Sequence, residues 1–382
     1  MKGFKNVNAY IYGKGIVKTN IAIENGKIVA IGSDVEILQP FNVCSDQIVV
    51  PGFIDQHIHG AAGADAMDGD INALSTISKA LLSEGTTAFL ATTMTQSVEN
   101  IERALKAVNQ YINEKNNNGA TLLGVHLEGP FISPKHVGAQ PLEYVQSPSV
   151  EAFKVYEKAS GDNIKMVSLA PEMEGATELI KYLVSKNIVA SIGHTGATYN
   201  NVEKAVAVGL SNVTHTYNAQ TPVHHREVGV VGSAMLFDEL SCEVICDTIH
   251  VSVPAIKLLI KNKPSDKVIL ITDAMRAKHL PDGESELGGQ KVFVKNGEAR
   301  LADGTLAGSV LKMNVAIKNL VEKANVSLEK AIDYATINPA INLKVDGERG
   351  SIALGKVADF AVLNKDYSVG LTIVNGEVVY NG

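Results

Sequence analysis

Between Phe53 and Asp273 the chain repeats one pattern: a short apolar run, then a longer segment with apolar residues three and four apart. Runs of the first kind are Phe53–His59, Thr86–Met94, Leu122–Glu128, Lys165–Ala170, Ile188–His194, Asn212–Asn218, Cys242–Asp247 and Lys267–Asp273. They read as buried strands. Ile71, Leu74, Ile77 and Leu81 after the first run, and Ile101, Leu105, Val108 and Ile112 after the second, each form one apolar helical face. Eight alternating strand and helix units predict a parallel (β/α)8 barrel. An open doubly wound sheet would alternate in the same way, but no GxGxxG or Walker loop follows any of these strands.

The two chain ends carry a different pattern. Ile21–Ile31 has an Asn25-Gly26 pair between apolar runs, and Leu371–Tyr380 repeats this at Asn375-Gly376, after the apolar run Ala358–Leu363. Asn-Gly between apolar runs is a strong hairpin signal, and hairpins this small bury no core alone. Residues 1–51 and 346–382 are therefore expected to pack together as one small β-sandwich domain, with a catalytic barrel, 52–345, inserted between them. A further hairpin is expected over Lys291–Leu301, turning at Asn296-Gly297.

Composition narrows the function classes. The chain has 382 residues, 45% hydrophobic and 20% charged, so it can bury a large core. A formal net charge of −7 gives no electrostatic case for nucleic acid or an anionic membrane. There is no run of 18 apolar residues and no basic start leading into an apolar segment, so neither a membrane span nor a signal peptide is expected. Cys44, Cys242 and Cys246 form neither a CxxC nor a disulfide framework, which fits reduced thiols and a cytoplasmic location.

The chemistry gathers at the strand ends. In Pro51-Gly-Phe-Ile-Asp-Gln-His-Ile-His-Gly60, residues 55, 57 and 59 alternate with apolar 54 and 58, so His57 and His59 project the same way. Two imidazoles so placed can chelate one metal ion. The C-terminal ends of the other strands add Glu128, His194, His215 and Asp273, and this is the end at which such barrels carry their active sites. Four imidazoles and two carboxylates at one barrel mouth point to a catalytic metal centre. His136, His224, His225 and His279 read as rim or surface residues, and Cys246 as core.

The blocks PGFIDQHIHG, HLEGPF, GHT, THTYNA and TDAM resemble the amidohydrolase superfamily. Within it, HLEGPFISPK followed by GAQ, then THTYNAQTPVHHREVG and DGTLAGS, resembles the N-acetylglucosamine-6-phosphate deacetylase family along essentially the whole chain. The resemblance implies that Glu128, His194 and His215 hold one essential divalent metal ion, with His57 and His59 available for a second. Zinc or iron is expected, with manganese and cobalt as alternatives, since mixed N and O ligands suit all four. Superfamily members that bridge two metals with a carboxylated lysine at the end of strand four have no counterpart in Leu169-Ala170-Pro171-Glu172. Asp273 is implied as the base that takes a proton from water and returns it to the departing amine. The phosphorylated amino-sugar substrate is implied to meet Ala139, Gln140, Asn218, Ala219, Arg226 and His250, under a loop at Leu306, Ala307 and Gly308. Gln140 departs from a histidine common at that place. The family's arginine at position 226 reaches the neighbouring subunit's site, which implies a homodimer. Alternatives are the galactosamine epimer of the same substrate, another amidohydrolase reaction, or a non-catalytic oligomeric scaffold. A scaffold would be expected to have lost ligands, and all six groups are present.

Overall fold

A computed structural model describes residues 1–114 and 118–382. Its centre is an eight-stranded parallel sheet. The strands are Phe53–Ile58, Thr86–Thr92, Thr121–Glu128, Ile164–Leu169, Val189–Ile192, Asn212–Val213, Ser241–Ile245 and Val268–Ile271, paired in chain order. The sheet closes on itself where the Asp273 amide donates to the His57 carbonyl (2.8 Å) and the His59 amide donates to the Ala274 carbonyl (2.9 Å). Each strand segment lies where an apolar run was read, and the segments between them carry the predicted helices, among them Ile71–Ala80 and Val98–Asn113.

Three departures from the sequence reading bear on the site. Strand six is only Asn212–Val213, because beyond Thr214 the backbone turns through left-handed residues at His215, Tyr217 and Ala219. The strand-one pairing slips between Asp55 and Ile58, so strict alternation fails there. As a result Asp55 turns to strand eight, accepting from Thr272 Oγ1 at 2.5 Å, while Gln56 and His57 both reach one acceptor, Glu243. Finally, the hairpin Gln290–Lys295 and Glu298–Leu301 has a third strand, Gly283–Leu287. This three-stranded sheet lies over the barrel mouth.

The barrel interior is layered. At its floor Ile54, Ala88, Leu90, Met166 and Val189 pack with Ala340 and Leu343 from the segment after strand eight. Above them lies a polar layer of Gln56, His126, Ser168, Ser191, Asn212, Thr214 and Glu243, all fully buried. The charged groups of the mouth come last.

The chain ends form a second eight-stranded sheet built from strands within 2–51 and 360–381. It wraps as a β-sandwich around Phe4, Ile21, Ile28, Val49, Phe360 and Ile373. All three Asn-Gly turns have positive φ at both positions: 49° and 72° at 25–26, 53° and 81° at 296–297, 51° and 78° at 375–376. That pair of angles is what a two-residue hairpin turn requires, and Asn and Gly bear it at least cost. No described helix is long and apolar enough to cross a membrane.

Candidate active site

Each predicted ligand sits at or just past a strand end. His57 lies within the strand-one slip and His59 just past that strand, Glu128 closes strand three, and His194, His215 and Asp273 each lie two residues beyond strands five, six and eight. The last three have φ of 48°, 28° and 49°. Such conformations cost non-glycine residues about 1–3 kcal/mol each and persist only where the surroundings impose them. Here His194 and His215 turn toward Glu128, and Asp273 turns toward His57 and His59. Gly193, just before His194, has no room for a side chain: an added Cβ would lie 2.8 Å from Thr214 Cβ on the neighbouring strand.

Glu128 is the hub. Its Oε1 lies 3.2 Å from His194 Nε2 and 3.0 Å from His215 Nε2, and those two nitrogens are 3.0 Å apart. Its Oε2 lies 3.2 Å from His59 Nε2. Asp273 Oδ1 is 3.3 Å from His57 Nε2 and 3.2 Å from His59 Nε2. Two overlapping groups therefore have metal-ligand spacing, Glu128 with His194 and His215, and Glu128 with His57 and His59.

The remaining ring nitrogens show that a cation fits. His194 Nδ1 donates to the His136 carbonyl (3.0 Å), His59 Nδ1 to the Thr92 carbonyl (3.2 Å) and His57 Nδ1 to Glu243 Oε2 (3.0 Å). A proton committed at Nδ1 leaves a lone pair at Nε2, and all three Nε2 atoms face carboxylates. His57 Nε2 is buried without a hydrogen bond. Lone pairs and carboxylates converging in a buried site are a donor set suited to a divalent cation.

The same crowding shifts the titrations. Burial disfavours charge on Glu128, yet the neighbouring rings, His57 first and then His194 and His215, hold it well below the usual carboxylate range. Asp273 behaves likewise: burial opposes its charge, and His57 and His59 bring it down to about 2. His59 is pushed up to about 10, since Asp273 and Glu128 outweigh its burial. His126, buried beside His57 and hydrogen-bonded to Ser168 Oγ at 2.7 Å, moves the other way, through burial first and the neighbouring imidazoles second.

A cavity of about 240 Å³ opens over these groups. Ala139, Gln140, Asn218, Ala219, His250, Leu306 and Gly308 line it together with Glu128, His194, His215, His59 and Asp273. Leu287 of the covering sheet lines it too, and Gln290 Nε2 ties that sheet to the Ala139 carbonyl at 2.6 Å. Ala307 is fully buried behind its two neighbours and is not among the lining residues. Arg226 is also outside the lining: it is exposed, and its Nη1 donates to His225 Nε2 at 2.7 Å. Gln140 spends its amide on protein, accepting from the Thr95 amide (2.7 Å) and donating to Glu128 Oε2 (3.0 Å). His250 Nδ1 donates to Asp247 Oδ2 at 2.6 Å, which fixes its ring at the cavity wall.

Sequence reasoning passed over the groups that orient these residues: Glu243, Asp55, His126 and Asp247. Each of the first three is a fully buried charged or polar residue within an apolar strand, and that was the available signal.

A barrel whose strand ends gather these candidate ligands defines a class, and the amidohydrolase family model matches residues 48–379. The chain belongs to the amidohydrolase family. It is 43% identical over 366 residues to the N-acetylglucosamine-6-phosphate deacetylase of Bacillus subtilis (strain 168), covering 94% of this chain and 92% of that protein. It is 35% identical over 332 residues to the N-acetylgalactosamine-6-phosphate deacetylase of Escherichia coli O157:H7, covering 87% and 88%. The crystal structure of N-acetylglucosamine-6-phosphate deacetylase from Thermotoga maritima superposes with a TM-score of 0.90 at 36% identity over the whole of both chains.

Proposed function

We propose that this chain is a metal-dependent deacetylase that hydrolyses the acetamide of N-acetyl-D-glucosamine 6-phosphate to D-glucosamine 6-phosphate and acetate. The observation that carries the reading is the convergence of Glu128 Oε1, His194 Nε2 and His215 Nε2 within one cavity that also holds Asp273. The extent of the likeness to deacetylases of 6-phosphorylated amino sugars supplies the substrate class.

Glu128, His194 and His215 would hold the principal ion, with Gln140 fixing the Glu128 carboxylate rather than meeting the sugar. When bound, a divalent ion there supplies Lewis-acid polarisation and a nucleophile available at neutral pH. Asp273 is ionised and buried at the same mouth, so it can accept a proton from the attacking water and return it to the sugar amine as the C–N bond breaks. Asn218, the Ala219 backbone and His250 lie on the cavity wall where the sugar and its phosphate would sit. Leu306 and Gly308 close the cavity from the strand-eight side. His59 meets Glu128 at Oε2 and His57 approaches it at Oε1, and the three together have the spacing for a second ion.

Arg226 fits a homodimer reading. It is exposed in the single chain, on the loop that contains Pro222, and its fork, which meets only the neighbouring His225 among the described residues, would turn into a partner's cavity to pair with the phosphate. The test of function is acetate release from N-acetylglucosamine 6-phosphate and from its galactosamine epimer, measured side by side on purified protein. Release from the first substrate is expected. Preference for the second would move the assignment to the epimer, and no release from either would overturn it.

A further inference from the structure

Glu243 lies in the middle of strand seven, within Ser241–Ile245, and is completely buried. A lone carboxylate inside a barrel needs donors, and it has four. Its Oε1 accepts from Gln56 Nε2 (2.7 Å) and Asn212 Nδ2 (3.3 Å), and its Oε2 accepts from His57 Nδ1 (3.0 Å) and the His215 amide (3.1 Å). The orientation of the two amides is itself dictated from below. Asn342, at the end of helix Ile337–Asn342, donates through Nδ2 to Gln56 Oε1 and to Asn212 Oδ1, both at 3.1 Å. An Nδ2 group only donates, so both amides must turn their oxygens toward Asn342 and their NH2 groups toward Glu243. Asn212 Nδ2 also donates to Ser191 Oγ at 2.8 Å, which agrees with that orientation.

The consequence reaches the mouth. With Oε1 occupied by two donors, Oε2 remains for His57 and the His215 backbone, and the His57 proton is drawn to Nδ1. Its Nε2 lone pair then faces Glu128 and Asp273. The slip in strand one is what lets Gln56 and His57, adjacent in sequence, share one carboxylate.

We propose that Glu243, oriented from the barrel floor by Asn342 through Gln56 and Asn212, is the positioning residue that sets the His57 tautomer and so makes the His57/His59 side of the centre able to hold an ion. The inference rests on the metal-centre reading above. It adds that an uncharged, isosteric residue will not serve. In Glu243→Gln one end of the amide must present an NH2 group to a pair of donors. Turned toward His57, it would demand an acceptor at Nδ1 and move the ring proton to Nε2, where a metal could not bind. Turned toward Gln56 and Asn212, it would break the floor network instead.

The test uses the intact zinc-loaded protein and two readouts besides turnover: ions per chain by equilibrium dialysis with elemental analysis, and the His57 ring by nitrogen-15 NMR. In the unsubstituted protein we expect two ions per chain at saturating zinc and a protonated Nδ1 on a metal-bound His57. In Glu243→Gln the ion on the His57 side should bind at least tenfold more weakly and the Nδ1–H signal should be lost, while the ion at Glu128, His194 and His215 stays. Asn342→Ala, which leaves the carboxylate in place, provides a milder variant in case Glu243→Gln folds poorly. It should weaken the same ion by a smaller factor and leave the other unchanged. Two ions and an unchanged His57 signal in both variants overturn the proposal, as does a single ion in the unsubstituted protein. A protein that binds no zinc at all overturns the metal-centre reading with it.

Discussion

The two ends of the barrel are built from the same strands and differ in almost everything else. At the floor, Ile54, Ala88, Leu90, Met166 and Val189 interdigitate with Ala340 and Leu343, with no titratable group among them. At the mouth, a few residues further along those strands, His57, His59, His194, His215 and Asp273 crowd around Glu128, and three of these six sit at positive φ. The floor gains stability from burial, about 25 cal/mol per Å² of apolar surface removed from water. The mouth spends some of it on strained backbone and buried charge. A barrel can carry such a centre because the destabilising residues are confined to one end, and the polar layer of Glu243, Asn212, Gln56 and Ser168 separates the two.

If that division is right, substitutions at the two ends should fail in different ways. The largest effect is expected for Glu128→Gln: metal content, read by elemental analysis, should fall nearly to zero and acetate release should disappear, while the thermal transition stays cooperative. An anionic ligand replaced by a neutral amide is the cause. Asp273→Asn should lower turnover by about 10²–10⁴ while metal content and substrate affinity persist, because it removes a proton acceptor and leaves the shape. Metal loss alongside activity would make Asp273 chiefly a ligand. Arg226→Ala, outside the mouth of its own chain, should lower kcat/KM for the 6-phosphorylated substrate by about 2–5 kcal/mol and barely change the poor use of unphosphorylated N-acetylglucosamine. Equal losses on both would make Arg226 structural. At the floor, Leu90→Ala should cost about 2–5 kcal/mol in denaturant unfolding by opening a cavity, with kcat within about twofold of the parent. A Leu90 variant that keeps its stability but loses turnover would erase the distinction between the ends.

Much of this was legible in the sequence, for physical reasons. Apolar runs long enough to cross a barrel wall marked the strands, and Asn-Gly pairs marked the turns because few other residues tolerate consecutive positive φ. The candidate ligands were visible because each stands at or near the boundary between an apolar run and a polar loop. What stayed hidden depends on side-chain partners that periodicity does not encode. Glu243 sits inside Ser241-Cys-Glu-Val-Ile245 and looks like an interruption of a buried strand, although its four donors come from Gln56, His57, Asn212 and the His215 backbone. The strand-one slip between Asp55 and Ile58 is invisible in a pattern that alternates cleanly on paper. Gly283–Leu287 escaped because it lies on the surface, largely exposed, and carries two glutamates and a serine. The buried pair Lys278 and Glu84, 2.6 Å apart, could not be matched from spacing, since 278 and 84 meet only through the closed barrel.

The central claim is that the mouth is a metal-dependent amidase centre, and metal removal tests it most directly. Purified protein is stripped with a chelator, its metal content is measured, and acetate release from N-acetylglucosamine 6-phosphate is followed before and after zinc is returned. The expected result is activity that falls in proportion to the ion lost from Glu128, His194 and His215 and returns on adding about one ion per chain, the number one such three-ligand site holds. Undiminished acetate release from fully stripped protein would contradict it.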